Sequence, residues 1–352
     1  MMSGARHILS YAQTLRGGGV ERALLRLAGE WTRRGRRVTL VIGDPAGPLR
    51  AEIPAGVDVI PIGASHYAAM HVLPRHLKAL RPDLLLCAGS HYTGIAAWTR
   101  WRLGASGPPI VAKVSNALER PDHGRLMAAA HAAWLRQHPR FLDHVVAMSE
   151  ASAAHVATAM RLSPSRIAVI PNPPARPVAG ARLPALPPRY LLGVGRLVPQ
   201  KRWDRLIDVL PHLQRPIPLV ILGEGECRAA LSARAEALGV ELLLPGHVAD
   251  PLAAMAGAAV VALTSDFEGV PSVLAEALSV GTPVVTTDCA PAIAEIVVSP
   301  AFGTIVARGD SAGLLRALNH WLGDAARPQP VAPRGADSAE RYLQLFDSLM
   351  PV

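Results

Sequence analysis

Short apolar runs alternate with amphipathic stretches along the whole chain. Residues 7–11, 38–42, 57–60, 84–87, 110–115 and 145–148 are rich in Val, Ile and Leu and lack clean alternation with polar residues. That is the pattern of strands covered on both faces of a parallel sheet. Between them, 20–34, 67–80 and 124–137 carry apolar residues at helical spacing. A second series repeats the scheme, with strands predicted at 190–194, 219–222, 242–244, 260–263, 284–286 and 304–306. The alternation predicts α/β domains with doubly wound sheets, which take ligands at the carboxyl ends of their strands.

Proline separates the two series. Seven prolines fall between Pro171 and Pro188; each fixes φ and removes a backbone donor, so this stretch predicts a stiff linker. A second proline-rich stretch, 328–333, precedes a final amphipathic helix near 338–349. The expected layout is a first domain over 1–171, a linker over 172–189, a second domain over 190–325 and a closing segment over 336–352. A cleft between two such domains is the default ligand site. The length of 352 residues fits two hydrophobic cores.

Composition narrows the function. Aromatics are only 4% of residues, thin for a protein that stacks on bases, so no nucleic-acid partner is expected. The formal charge is +9, and 33 of the 36 basic residues are Arg. Residues 1–171 hold 21 basic and 10 acidic side chains, net +11, whereas 172–352 are net −2. A basic first half favours an anionic partner such as phospholipid or a lipid pyrophosphate, or else is a solvated Arg-rich surface. Trp98-Thr-Arg100-Trp101-Arg102 and Trp134-Leu-Arg136 mix aromatic and basic groups in a way that suits a lipid interface, or are core tryptophans flanked by solvated arginines. The net charge of that half tips the expectation toward peripheral contact with a membrane.

Cys87, Cys227 and Cys289 form no CxxC pair, which excludes a disulfide framework or a Cys-based zinc site and fits a reducing, cytoplasmic location. The apolar stretch 8–12 is too short for a signal-peptide core. The longest apolar run, 253–263, reads as a helix end plus a buried strand and not as a membrane span. His66, His71 and His76 fall on a predicted helix without full metal-ligand spacing.

Two segments carry candidate chemistry. Gly193-Val-Gly195-Arg196 follows a predicted strand and leads into a helix pattern, a place where backbone approaches a phosphate; Arg196 and Lys201 supply positive charge. A dinucleotide fingerprint would need a third glycine where Pro199 and Gln200 stand, so NAD is not expected. The alternative is a tight turn with two solvated cations. The second segment, Phe267-Glu268-Gly269-Val270-Pro271-Ser272-Val273, places Pro271 at the start of a helix predicted over 272–280. Free N–H groups of Gly269, Val270, Ser272 and Val273 at its positive end suit phosphate oxygens. Glu268 and Glu276 would both reach an elongated ligand, or are a turn carboxylate and a surface helix residue.

GRLVPQK, LGEGECRAAL, PGHVAD, SDFEGVPSVLAEAL and GTPVVTTDCAPAIAEI resemble, in order and spacing, the retaining glycosyltransferases of family 4, with the GT-B fold of two Rossmann-like domains facing across a cleft. Glu268 and Glu276 match the E-x7-E pattern, and Gly17-Gly18-Gly19-Val20-Glu21-Arg22 resembles the family's glycine-rich loop. The resemblance implies that Arg196 and Lys201 bind the donor diphosphate and stabilise it as it leaves. It gives Glu276 the ribose hydroxyls and Glu268 a hydroxyl of the transferred sugar. Gly195, Gly269, Val270, Ser272 and Val273 would border the phosphates, Gly246, His247 and Val248 the base, and Gly18 and Gly19 the diphosphate or acceptor. The final helix would cross back to the first domain.

The implied activity is transfer of a hexose or N-acetylhexosamine from a UDP- or GDP-sugar to a cell-surface glycan or lipid-linked acceptor. Closure of the domains would exclude water. No DxD triplet occurs, so no metal and no other cofactor are expected. One departure stands out: where many family members carry a histidine after the fifth strand, this chain has Val114-Ser115-Asn116. Asn116 can hydrogen-bond a sugar hydroxyl but is neither acid nor base; His123 would substitute only if its loop folds back. A non-catalytic nucleotide-sugar-binding protein and a nucleotide-sugar epimerase are the alternative readings.

Overall fold

The computed structural model describes residues 4–118, 124–175, 183–248, 250–323 and 325–351. The chain divides into two compact units, Met1–Pro173 with Gly335–Val352, and Pro174–Arg334.

The first unit is built on strands β1 (His7–Thr14), β2 (Arg37–Asp44), β3 (Asp58–Pro61), β4 (Leu84–Cys87), β5 (Ile110–Lys113), β6 (His144–Ala147) and β7 (Ile167–Val169). They form one sheet in the order β3-β2-β1-β4-β5-β6-β7, and every pair is parallel. The order reverses between β1 and β4, the place where such sheets leave a crevice at their carboxyl edge. Leu84–Cys87 and Ile110–Lys113 are buried throughout, as their unbroken apolar runs require. The helix Gly19–Arg33 buries Leu24, Leu27, Ala28 and Trp31 on one face of this sheet.

The closing helix Ser338–Ser348 packs on that same face and belongs to the first unit. Trp31 meets Tyr342 and Phe346 with ring centroids 5.7 and 5.3 Å apart, and its Nε1 donates to the Ala339 carbonyl at 3.0 Å. Arg36 pairs with Asp347 at 2.7 Å, and the Ser338 hydroxyl donates to Pro171 O at 2.6 Å.

The second unit holds β8 (Leu191–Val194), β9 (Leu219–Leu222), β10 (Leu242–Gly246), β11 (Val260–Leu263), β12 (Val284–Thr287) and β13 (Gly303–Val306) in the parallel order β10-β9-β8-β11-β12-β13. Its switch point lies between β8 and β11.

Two differences from the sequence reading have local causes. The predicted helix over 67–80 is a 3-10 turn, Tyr67–Val72, followed by the helix Leu73–Leu80; Pro74 sits in the first turn of the second piece, where a missing N–H costs nothing. β7 was not foreseen, because three residues running into a proline-rich segment carry no periodicity. In the expected linker, residues 176–182 lie outside the described residues, while Ala175 and Leu186 on either side pack against the core of the second unit. The run 253–263 divides into the helix Leu252–Gly257 and the buried strand β11. Among the described residues no helix is long and apolar enough to cross a membrane.

Candidate functional site

The candidate donor residues of the second unit gather on the carboxyl edge of its sheet. Gly195 and Arg196 leave β8, Gly223 and Glu224 leave β9, and His247 follows β10. The segment Thr264–Glu268 leaves β11. Backbone bonds lace these exits together: Gly195 N donates to Leu222 O at 3.0 Å, Gly223 N to Gly246 O at 2.9 Å and Leu197 N to Glu224 O at 2.8 Å. The approach at Gly223 requires glycine, since a Cβ there would lie 1.9 Å from the Gly195 carbonyl oxygen. A Cβ on Gly246 would meet the Glu224 carboxylate at 2.8 Å.

Arg196 is exposed, and its carbonyl accepts from Trp203 Nε1 at 3.0 Å, so the backbone is fixed while the guanidinium projects. Lys201 ends a 3-10 turn, Pro199–Lys201. Its Nζ donates to Glu268 Oε1 at 2.5 Å, and the same oxygen accepts the Ser265 hydroxyl at 2.7 Å. Both side chains of the pair are about one-seventh exposed, at 14% and 13%. Two residues to which the sequence reading gave separate roles therefore form one largely desolvated ion pair across the switch point. Glu268 N donates to Cys289 O at 2.8 Å, which ties the pair to the exit of β12. Burial, with the Glu268 charge nearby, pushes the Cys289 thiol up to about 12 and keeps it protonated.

The helix Ser272–Ser279 starts at Ser272, and its cap residue, Pro271, makes no side-chain cap bond. The start is where the sequence predicts it, and the end falls one residue earlier, at Ser279. The N-terminal dipole of this helix faces the segment that carries Gly269 and Val270, where an anionic group is favoured. Val273 lies in the first turn and Glu276, half-buried, one turn further in. Val248 is half-buried beside the exposed His247.

The residues predicted in the first unit occupy the carboxyl edge of its own sheet. Gly17 has φ 113°, a left-handed value that favours glycine, and Gly18 leads directly into the helix Gly19–Arg33. A Cβ on Gly19 would meet nothing within 4 Å. Asn116 is exposed after β5; His123 lies outside the described residues.

The sequence reading missed Lys113, at the end of β5. It is 2% exposed, and its Nζ donates to Asn172 Oδ1 at 2.6 Å. Burial pushes its pKa down to about 8, against the pull of the Glu21 charge from the glycine-rich segment. Nothing in the residues around Lys113 marks a lysine as buried. The reading also missed Gln200, Thr264, Ser265 and Asp266, although the last two stand inside the quoted SDFEG motif. His66 accepts from Ala69 N through its Nδ1 at 3.1 Å and so serves as a cap. Among the described residues no group of His, Cys, Asp or Glu is arranged to hold a metal.

Two parallel doubly wound sheets, each with its candidate residues at the carboxyl edge, define the GT-B class of fold. Solved structures agree: Anabaena HepE in complex with UDP-glucose aligns with a TM-score of 0.72 at 21% identity, covering 97% of each chain. The apo lipopolysaccharide outer core galactosyltransferase WaaB aligns with a TM-score of 0.64 at 19% identity over 98% of this chain and 94% of that one. Residues 181–336 match the profile of glycosyl transferases group 1, and residues 17–173 match glycosyltransferase family 4. The two profiles together take in most of both units, and the chain belongs to the family 4, group 1 glycosyltransferases.

Curated relatives match over shorter stretches of the chain. An N-acetylgalactosaminyltransferase of Campylobacter jejuni that acts on a diphospho-undecaprenol-linked sugar is 34% identical over 142 residues, 40% of this chain and 39% of its own length. The lipopolysaccharide 1,6-galactosyltransferase of Escherichia coli is 25% identical over 264 residues, 72% of this chain and 69% of its own length. The matched stretches span about a third of the first relatives, 39% and 31% of their lengths.

Proposed function

We propose that this protein transfers a hexose or N-acetylhexosamine from a nucleotide-diphosphate sugar to a hydroxyl of a cell-surface glycan or lipid-linked acceptor, with retention at the anomeric carbon. The observation that carries the reading is the Lys201–Glu268 pair at the switch point, with exposed Arg196 at the exit of β8 and the N-terminus of Ser272–Ser279 at the end of the segment that leaves β11. Breaking the sugar–phosphate bond leaves negative charge on the departing diphosphate and positive character on the sugar. Arg196, Lys201 and the helix N–H groups meet the first, and the Glu268 carboxylate meets the second. Fixed groups of this kind act more strongly on the transition state than on the bound donor.

In the proposed reaction the acceptor oxygen forms a bond to the anomeric carbon as the bond to the β-phosphate oxygen breaks. The bonding pair stays on that phosphate oxygen, which takes the acceptor's proton. The reaction then needs no side-chain base at Asn116, whose amide is left to hydrogen-bond a hydroxyl of the acceptor or sugar. Glu276 holds the ribose, and Gly246, His247 and Val248 border the base. In this reading Arg196 and Lys201 neutralise the diphosphate in the part a metal would otherwise play, and no metal is called for.

The relatives support the acceptor class: one is named for a lipid-diphosphate-linked acceptor and another for lipopolysaccharide. Structures of HepE and TarM that hold UDP-glucose or UDP make uridine the first base to try, with guanosine second. Contact with an anionic membrane from the cytoplasmic side belongs to the same proposal. It rests on the net +11 of residues 1–171 and on the exposure of Trp101, Leu126 and Met127.

The test is thermal stability against UDP, GDP and their sugars without metal. A ligand at about 100 times its Kd adds roughly 2.7 kcal/mol. The expected result is a shift with one nucleotide class that is lost in Arg196→Ala and Glu276→Ala. No shift with any nucleotide in a folded sample would remove the donor site, and turnover of the donor's sugar without acceptor would favour an epimerase.

A further inference from the structure

We infer that Thr264 is a positioning residue: its buried hydroxyl holds the turn at Arg202 that aims Lys201 at Glu268. The inference rests on the donor-site reading given above. Thr264 is fully buried at the end of β11, and its Oγ1 donates to the carbonyls of Lys201 at 3.2 Å and Arg202 at 2.9 Å. One hydroxyl thus bridges the two successive peptide units that flank Arg202. Arg202 has φ 49°, a left-handed value that a residue with a Cβ adopts at a cost.

The surrounding groups show why that conformation persists. The Arg202 guanidinium donates to Asp204 at 2.9 and 3.0 Å and reaches Asp266 at 3.4 Å. Asp266 also pairs with Arg205 at 2.7 Å, and its backbone N donates to Gln200 O at 2.9 Å. Gln200 Nε2 in turn donates to Phe267 O at 2.7 Å. The segment 199–202 after β8 and the segment 264–268 after β11 are therefore stitched together on both sides of Lys201 and Glu268. Among the described residues the Thr264 hydroxyl bonds to the carbonyl of Lys201 itself, and it shares the carbonyl of the left-handed residue with Arg205 N, which donates there at 3.1 Å. Remove it and the carbonyl of Lys201 in this half-buried turn loses its donor, while that of Arg202 keeps only Arg205 N, so the turn relaxes and the lysine leaves the carboxylate.

The chain has three lysines, Lys78, Lys113 and Lys201, so amine labelling followed by mass spectrometry reads Lys201 directly, with exposed Lys78 as internal standard. Thr264→Val keeps the shape and deletes the hydroxyl; Thr264→Ser keeps the hydroxyl. The expected result is several-fold faster acylation of Lys201 in Thr264→Val, approaching the rate in Glu268→Ala, with Thr264→Ser near wild type. Labelling unchanged in a folded Thr264→Val protein overturns the inference, whatever the activity. In turnover of the donor sugar, Thr264→Val should lower kcat about 10- to 100-fold with KM for the donor changed less. In a Lys201→Met background it should add nothing, because it acts through that lysine; multiplied losses would mean a general structural defect and overturn it. A wild-type protein that turns over no nucleotide sugar counts against the donor-site reading, while the labelling result still decides the role of Thr264.

Discussion

Replacing Lys113 by Met should make stability less dependent on pH, and in a direction the structure sets. The ammonium is 2% exposed, its partner is the neutral Asn172 Oδ1, and Glu21 provides the counter-charge that acts on it. Desolvation outweighs that counter-charge and moves the pKa from 10.5 down to about 8. Below pH 8 both folded and unfolded chains carry the proton, and the cost of burying the charge is fully present. Between pH 8 and 10.5 the unfolded chain still binds a proton that the folded chain has released, so stability rises with pH across that window. At 1.36 kcal/mol per pKa unit the full window is worth about 3 kcal/mol, and the span from pH 7 to pH 10 about 2 to 3 kcal/mol. Urea unfolding of wild type and Lys113→Met at pH 7 and pH 10 measures it, since taking the difference between the proteins cancels every other titrating group. Wild type should gain about 2 to 3 kcal/mol on the variant as the pH rises. A constant difference would refute the argument, and a loss would mean that Glu21 holds the ammonium more strongly than burial opposes it.

Other outcomes follow from single contacts. Gly223→Ala brings a Cβ to 1.9 Å from the Gly195 carbonyl oxygen, so the turn that carries Arg196 must move; melting should show a loss of about 1 to 3 kcal/mol, and nucleotide binding by calorimetry should vanish. Phe346→Ala empties the contact with Trp31 and Tyr342 in a fully buried site and should cost about 3 to 5 kcal/mol in denaturant unfolding, with the near-UV signal of the tryptophan altered. Leu126→Ser with Met127→Ser changes two side chains that are 87% and 58% exposed, so stability should stay within about 0.5 kcal/mol while flotation with anionic vesicles falls; unchanged flotation would place the membrane contact elsewhere or nowhere.

Both sheets were legible because their strands are covered on both faces, which leaves unbroken runs such as Leu84–Cys87 and Val260–Leu263 whose ends stand as predicted, while β1 runs three residues past its predicted end, to Thr14. Elements whose form depends on neighbours were not legible. β7 is defined by pairing with β6, and the break at Val72–Leu73 by local turn geometry. Of the candidate site, Arg196, Lys201, Glu268 and Glu276 were visible as charged residues next to glycine and proline signals at predicted strand ends. That Lys201 and Glu268 face each other was not visible, because 67 residues separate them and only the neighbouring positions of β8 and β11 close that distance. Burial of Lys113 and of the Thr264 hydroxyl is a property of three dimensions: a lysine at a strand end and a threonine after an apolar run read the same whether solvated or enclosed.

The return of the helix Ser338–Ser348 to the first unit bears on the order in which the protein is made. The face of Trp31 that receives Tyr342 and Phe346 is synthesised early, and its cover emerges only after the whole of the second unit has left the ribosome. The second unit is continuous in sequence and can complete its sheet while the first still lacks a helix. During that interval the first unit presents an aromatic surface to whatever is nearby, and domains generally fold as units during synthesis. The first domain to begin is thus the last to be finished, and a chaperone that covers apolar surface would have its clearest target at Trp31.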